Sequence, residues 1–301
     1  AGAGGGAVMG DGFYRALEER FRGSRELVRA RLGVYRPFVA PLARPRARVL
    51  DLGCGRGEWL EVLGEEGFEA FGVDLDEGML AACRERGLAV AQADAVATLE
   101  GVPPESLSVV SAFHLVEHLP FATVRRIVAA ALRALEPGGL LILETPNPEN
   151  VLVAARDFYL DPTHVRPIPA ALLAFVAEEA GFARTKVLFL QEPEALARGE
   201  APGLYEVLAG VSPDYAVVAQ KGGAAAGLMA ALDAAFAAEY GSRLEPLARR
   251  YDEVVKIALQ QAATGVHGAR SLAEEARWRA DGAQESALAA RSMAEQAQES
   301  A

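Results

Sequence analysis

Three of the chain's four histidines, with one glutamate among them, have the types and spacing for proton or metal chemistry. His114, Glu117 and His118 sit close together, and His164 ends the run Asp157-Phe-Tyr-Leu-Asp-Pro-Thr-His164. A neutral imidazole can take the proton from a hydroxyl as that oxygen attacks, which contributes roughly 10²–10⁴-fold in rate. Glu117, His118 and His164 could instead hold a divalent cation that binds substrate oxygens and lowers their pKa. In a third account Glu117 and His118 only order a loop, and a single histidine acts. The residue types leave all three open.

A second constellation is Val49-Leu-Asp-Leu-Gly-Cys-Gly-Arg-Gly57, an apolar stretch running straight into helical periodicity. Gly53 and Gly55 let the backbone turn tightly and approach a ligand with no Cβ in the way. About twenty residues on, the next apolar run ends in Asp74, whose carboxylate can accept hydrogen bonds from ribose hydroxyls. Leu75 and Met79 would wall an adenine, and Asp94 would meet its amino group.

These residues need elements that bring them together. Short apolar runs at 48–52, 70–74, 88–94, 108–114, 140–145, 186–190 and 215–220 predict strands. Helical periodicity at 56–64, 77–86, 121–135 and 169–180 predicts helices between them, with more helix from 13 to about 41. Such alternation implies an α/β domain with a parallel sheet covered on both faces. His114 and His118 then lie at the C-terminal edge of the fourth strand, where ligands of such sheets bind. Glu144-Thr-Pro-Asn-Pro-Glu149 is too rich in Pro and Asn for an element interior, so it opens a long loop that carries His164 to the same edge.

Composition bounds the partners. The net charge of −11 argues against a nucleic-acid partner, whose phosphates need a basic footprint. Between Gly12 and Arg48, however, ten Arg face three Glu, either a basic patch for an anionic small molecule or glycan, or a solvated helix face. Cys54 and Cys83 have no paired spacing and call for no disulfide. Residues 1–11 read as a flexible lead-in or tag rather than a signal peptide, and no uncharged apolar run reaches membrane-spanning length. From 223 the composition turns to Ala, Glu, Arg and Gln. Ala269, Ala276, Ala283, Ala290 and Ala297 alternate with Ala273, Ala280, Ala287, Ala294 and Ala301 at four and three residues, a heptad seam. The expected division is a helical cap at 12–45, the α/β domain at 46–222 and a helical extension at 223–301, coiled coil from about 250. Because the heptads run to the last residue, a longer coiled coil and a partner helix, in a homo-oligomer or another protein, are expected.

The motifs in this order resemble the class I S-adenosylmethionine-dependent methyltransferases. Asp51-Leu-Gly-Cys-Gly-Arg-Gly57 is similar to their first motif and Val73-Asp74-Leu75 to their ribose-binding motif. Asp94-Ala95 is similar to the adenine contact, and Leu135-Glu-Pro-Gly-Gly-Leu140 to the loop before the fifth strand. A nicotinamide enzyme would keep GxGxxG, whereas here the third glycine comes one residue early. Pro213-Asp214-Tyr215 resembles the start of that family's antiparallel last strand. The resemblance implies a Rossmann-like seven-stranded sheet with S-adenosylmethionine as cofactor.

A narrower resemblance is to bacterial surface-glycan methyltransferases, including O-antigen chain terminators. It rests on Gly12-Phe-Tyr-Arg-Ala-Leu-Glu-Glu-Arg-Phe-Arg-Gly-Ser-Arg25, Phe113-His-Leu-Val-Glu-His118, Glu144-Thr-Pro-Asn-Pro-Glu-Asn150 and Phe158-Tyr-Leu-Asp-Pro-Thr-His164. It implies a cap over the cofactor, with Arg22 or Ser24 on the methionine carboxylate, Phe113 beside the cofactor, and Tyr14, Arg15 and Tyr159 facing substrate. His114-x-x-Glu117-His118 is also similar to Glu-x-x-Glu-His of small-RNA 2'-O-methyltransferases, which bind a metal, and of quinone-ring O-methyltransferases, with His114 replacing their first Glu. No kinase loop is present. The expected function is O-methylation of a sugar or glycan hydroxyl, or of a glycan phosphate, on a lipid or nucleotide carrier. Such an enzyme would be cytoplasmic, at the inner face of the membrane with a glycan assembly complex. The alternatives are a small-molecule O-methyltransferase of quinone or secondary metabolism, and a coiled-coil assembly protein with a vestigial methyltransferase domain.

Overall fold

In the computed structural model, residues 23–299 are described. Seven strands form one sheet: β1 (Arg48–Leu52), β2 (Glu69–Asp74), β3 (Val90–Gln92), β4 (Leu107–Phe113), β5 (Leu135–Pro146), β6 (Arg184–Leu190) and β7 (Asp214–Gln220). Their order is β3-β2-β1-β4-β5-β7-β6, and only β7 runs antiparallel to its neighbours. The alternation predicted the parallel strands, and the antiparallel β7 completes the Rossmann-like seven-stranded sheet that the resemblance to methyltransferases implies. Strand order reverses beside β1, so the loops after β1 and β4 open a crevice at the C-terminal edge.

Strand residues alternate between the two faces, and each face has its own core. Leu50, Leu52, Val110, Ala112, Leu141 and Leu143 pack with α5 (Phe121–Ala134) and α7 (Ala170–Ala180), numbered in chain order after α1 (Arg25–Leu32), α2 (Glu58–Glu65), α3 (Glu77–Glu85), α4 (Ala95–Gly101) and α6 (Val151–Ala155). Val49, Val109, Leu140 and Ile142 pack on the other face with Tyr35, Phe38, Trp59 and Leu63. Period-two alternation with both faces buried is why these strands read as continuous apolar runs.

Three differences from the expected elements have local causes. β5 begins at Leu135, because Leu135 already pairs with Leu107 and the ladder shifts register before Val109. Pro137-Gly138-Gly139 is therefore an irregularity inside the strand, and Gly138 sits at φ +84 with Ala224 Cβ 2.7 Å from where its own Cβ would lie. The helix α4 was not foreseen. Its N-cap is Asp94, whose Oδ1 accepts from the Ala97 N–H at 2.8 Å. The expected boundary at 222 also moves. After α8 (Leu204–Ala209), helix α9 (Ala226–Ala237) buries Leu232 and Ala235 in the core beside Phe38, so the compact α/β unit runs on to Leu247.

Among the described residues, part of the arginine-rich amino-terminal stretch is neutralised from within. Arg25 reaches Glu58 at 3.2 Å and Glu61 at 2.9 Å, Arg29 pairs with Glu61 and Glu65, and Arg36 pairs with Glu65 and Glu66. One face of α1 thus clasps the acidic face of α2, the helix that follows the glycine loop. Of the two accounts of this basic stretch, a general anion-binding patch does not fit these residues.

The second unit, from residue 248 onward, is the remainder of helix α10 (Leu244–Glu299). From Lys256 to Ala297 every residue is exposed. No helix among the described residues is long and apolar enough to cross a membrane.

Candidate functional site

Two adjoining hollows open at the C-terminal edge of the sheet. The smaller, about 180 Å³, is lined by Gly53, Gly55, Asp74, Leu75, Met79, Asp94 and Ala95. Gly53 holds φ +69, and a Cβ there would lie 3.3 Å from Leu115 Cδ1, filling space that a ligand can use. The Gly55 N–H donates to Asp74 Oδ2 at 2.9 Å, and the Asp76 N–H to Asp74 Oδ1 at 2.9 Å. Asp74 therefore braces the glycine loop and still has acceptor capacity for hydroxyls, since an ionised carboxylate offers about four lone-pair sites. Met79 is buried and Leu75 exposed, as walls of an open slot. This cradle, acidic at one end and apolar at the other, fits the adenosine half of S-adenosylmethionine.

The larger cavity, about 900 Å³, is lined by Asp51, Phe113, His114, His118, Glu144 and His164, among others. Its floor is rigid. Tyr35, Trp59 and Phe113 meet edge to face at 5.4–5.8 Å, and Trp59 Nε1 donates to Ser111 Oγ, which donates to Asp51 Oδ1. Gly53, His114 and His118 border both hollows, so the histidines stand where the two ligands would meet.

His114 is held in a left-handed conformation, φ 52, with its N–H bonded to the Glu144 carbonyl at 2.9 Å. Strain of this kind persists where the surroundings over-determine it. Its Nδ1 lies 3.3 Å from Glu117 Oε1 and its Nε2 3.3 Å from Glu144 Oε1. Burial alone would push this imidazole down, but the two carboxylates outweigh it and hold the imidazolium well above its ordinary range. Glu144 Oε2 also accepts from the Tyr35 hydroxyl, and Glu117 Oε2 from the Thr145 hydroxyl at 2.9 Å. Glu117 Oε1 has only the badly aligned His114 contact and is the one buried side-chain oxygen among the described residues with no hydrogen-bond partner. Asp214, at the start of β7, is pushed up to about 6 by burial, with Glu144 and Glu117 adding to it against His114 and Arg31.

His118 differs in kind. Burial lowers its pKa, and the charges of His164 and His114 lower it further against Glu117 and Asp161. Its ring stands 4.6 Å from that of His164. Glu117, His118 and His164 each offer a ligand atom within 4.8 Å of the others, a donor set of one carboxylate and two imidazoles.

The structure brings His114, Glu117, His118 and His164 together, places Asp51 and Phe113 in the larger cavity, and sets Gly53, Gly55, Asp74, Leu75, Met79, Asp94 and Ala95 around the smaller. Two assignments need correction. Ser24 caps α1, accepting the Leu27 N–H at 3.3 Å, and does not line either hollow; from α1 it is Arg31 that lines the larger cavity, together with Arg56 and Arg156. Tyr159 is 65% exposed and does not line the cavity, where Leu160, Arg156 and Asp157 stand instead. Tyr14, Arg15 and Arg22 lie outside the described residues. Glu144, Asp214 and Tyr35 were not expected in the site. Glu144, near the end of β5, and Asp214, at the start of β7, stood within motifs at the ligand edge, whereas Tyr35 carried no sequence signal.

Comparison with known proteins agrees with this geometry. Residues 24–187 match the methyltransferase domain family. A probable S-adenosylmethionine-dependent methyltransferase of Mycolicibacterium smegmatis is 33% identical over 134 residues, 44% of this chain and 51% of that one. A ubiquinone biosynthesis O-methyltransferase of Methylococcus capsulatus is 38% identical over 106 residues, 33% of this chain and 44% of that one. The chain thus spans about half the length of the curated relatives it matches. A crystal structure of an S-adenosylmethionine-dependent methyltransferase from Archaeoglobus fulgidus superposes with TM-score 0.61 at 34% identity, covering 69% of this chain and all of that one. With the family match running from α1 through β6 and the glycine loop, Asp74 and Asp94 in place around the smaller hollow, the chain belongs to the class I S-adenosylmethionine-dependent methyltransferases.

Proposed function

We propose that this chain catalyses O-methylation of a hydroxyl-rich acceptor, a sugar or glycan end, with His118 as general base. The observation that carries the reading is His118, half-buried where the two hollows meet, with burial lowering its pKa and so favouring the neutral imidazole. S-adenosylmethionine, when bound, supplies a methyl group on a sulfonium, which leaves with its electron pair on sulfur. Asp74 holds the ribose, and the glycine loop admits the chain that leads from it to the sulfonium. His118 takes the hydroxyl proton as the acceptor oxygen forms its bond to the methyl carbon. His114, locked as imidazolium between Glu117 and Glu144, is already protonated and serves to balance their charge.

The acceptor class is argued from the cavity wall. Arg31, Arg156, Asp157, Asp161, Gln191 and Glu192 line it, and an apolar ring seated among them would displace their water while offering no hydrogen bond in return. The small-molecule alternative draws on the name of the Methylococcus capsulatus relative. A second mechanistic reading comes from the Glu117 carboxylate, whose Oε1 accepts no hydrogen bond and has only the ion-pair contact with His114. With His118 and His164 this carboxylate would hold a divalent cation, which lowers the pKa of vicinal hydroxyls bound to it.

The test is titration of the full chain with S-adenosylmethionine, followed by methyl-transfer assays on sugar and catechol acceptors, each with and without chelator. The reading expects cofactor binding and transfer to the sugar acceptors. Transfer that survives chelation supports the histidine base, and loss on chelation supports the cation. Absence of cofactor binding would overturn the reading in favour of a vestigial domain.

For α10 we propose pairing with a second copy of this helix through the seam of Ala269, Ala273, Ala276 and Ala280. A helix exposed on all sides over this length has no tertiary packing of its own to stabilise it, and small seam residues permit close approach. Sedimentation of the full chain should show a dimer or higher oligomer, and a monomer at micromolar concentration would remove this proposal.

A further inference from the structure

The hydrogen bonds of the segment that carries His164 settle which nitrogen of His118 can act. Thr163 Oγ1 lies 2.6 Å from Asp161 Oδ1, and the Thr163 N–H donates to the same oxygen at 2.8 Å. A carboxylate only accepts, so the single hydroxyl hydrogen of Thr163 is committed to Asp161. His118 Nδ1 stands 2.8 Å from that same Thr163 Oγ1. With the hydroxyl hydrogen already spent, Nδ1 must be the donor and Thr163 the acceptor. In neutral His118 the proton is then on Nδ1 and the lone pair on Nε2.

His164 is fixed in the same sense by a different partner. Its Nδ1 lies 2.6 Å from the Phe158 carbonyl, which can only accept, and the Phe158 ring packs 4.5 Å from the imidazole. One short segment, Asp157 to His164, therefore sets both rings. It resembles in logic any base oriented by a third group through its other nitrogen.

We propose that Asp161 and Thr163 are positioning residues that fix His118 as its Nδ1–H tautomer and so make Nε2 the proton-accepting nitrogen. The proposal rests on the methyl-transfer reading above, since it names the atom of His118 that takes the acceptor's proton. It has a consequence for the acceptor. With Nε2 free of hydrogen, the site suits a nucleophile that arrives carrying a proton, a hydroxyl, and sets a lone pair against the lone pairs of a carboxylate.

The test reads the tautomer directly and needs no substrate. With four histidines in the chain, histidine-selective nitrogen-15 labelling of this 301-residue chain in chelator gives a small set of imidazole signals, and His118→Gln assigns one pair. Wild type should show His118 protonated at Nδ1 as the major form. Thr163 is exposed, so Thr163→Val should fold normally; it removes the acceptor, and the Nδ1–H form should fall from majority to minority. Thr163→Ser should restore it. Asp161→Ala frees the Thr163 hydroxyl to donate to Nδ1 and should shift His118 the same way as Thr163→Val. A wild-type His118 protonated at Nε2, or a Thr163→Val protein with the tautomer unchanged, overturns the proposal. Failure of the methyl-transfer reading is a separate result: the same sample would not bind S-adenosylmethionine, whatever the tautomer.

Discussion

Replacing Asp74 by alanine is expected to weaken S-adenosylmethionine binding about 100-fold, measured by titration calorimetry on folded protein. Asp74 does two things at the end of β2. Its carboxylate accepts from the Gly55 and Asp76 N–H groups at 2.9 Å each, and it borders the smaller hollow where ribose hydroxyls would add to that shell. Hydrogen bonds to a charged group are worth about 1.5–3 kcal/mol each, so loss of the ribose contacts alone amounts to roughly a hundredfold in affinity at about 1.4 kcal/mol per factor of ten. Loosening of the glycine loop adds to this. Asp74→Asn keeps one carbonyl acceptor and should fall between the two. An unchanged dissociation constant in Asp74→Ala would mean that the ribose is held elsewhere.

The residues of this pocket were legible in the sequence because each is tied to a backbone feature with a sequence mark. Glycines follow β1, and acidic residues follow β2 and β3, all at the sheet's C-terminal edge. The sheet was legible for the same reason, its strands being short apolar runs between helical stretches. What was not legible depended on partners far along the chain. Tyr35 enters the site only because its hydroxyl meets Glu144, 109 residues away. Glu144 and Asp214 face His114 because β5 and β7 pair antiparallel, Glu144 opposite Ala216 and Pro146 opposite Asp214. The two accounts of the basic stretch stayed open in the sequence because its Arg residues could be counted, whereas the Glu58, Glu61, Glu65 and Glu66 partners of Arg25, Arg29 and Arg36 could not be seen. Asp94 shows a milder form: one carboxylate caps α4 and borders the cofactor pocket, and a sequence motif names only the second role.

Replacing His118 by alanine is expected to lower turnover by about 10²–10⁴-fold, the range for a lost general base, while the dissociation constant for S-adenosylmethionine changes by no more than about twofold. The separation of effects follows from geometry. Gly55 and Asp74, the residues proposed to hold the cofactor, bond to each other, and the His118 side chain bonds to Thr163 instead. The same substitution at His114 would be a poor probe. It leaves Glu117, fully buried, and Glu144, nearly so, without the cation between them, and breaking a buried ion pair from one side costs about 3–5 kcal/mol of stability. His118 is already neutral in its desolvated setting, so its removal strands no charge and the protein should melt within a few degrees of wild type. His164→Ala distinguishes the two mechanistic readings. If a cation is held, His118 and His164 are equivalent ligands and both variants lose activity together with bound metal. If His118 Nε2 is the base, His164→Ala retains more activity than His118→Ala, and chelator affects neither. Full turnover in His118→Ala would remove both readings, because each routes the acceptor's proton through the atoms around that nitrogen.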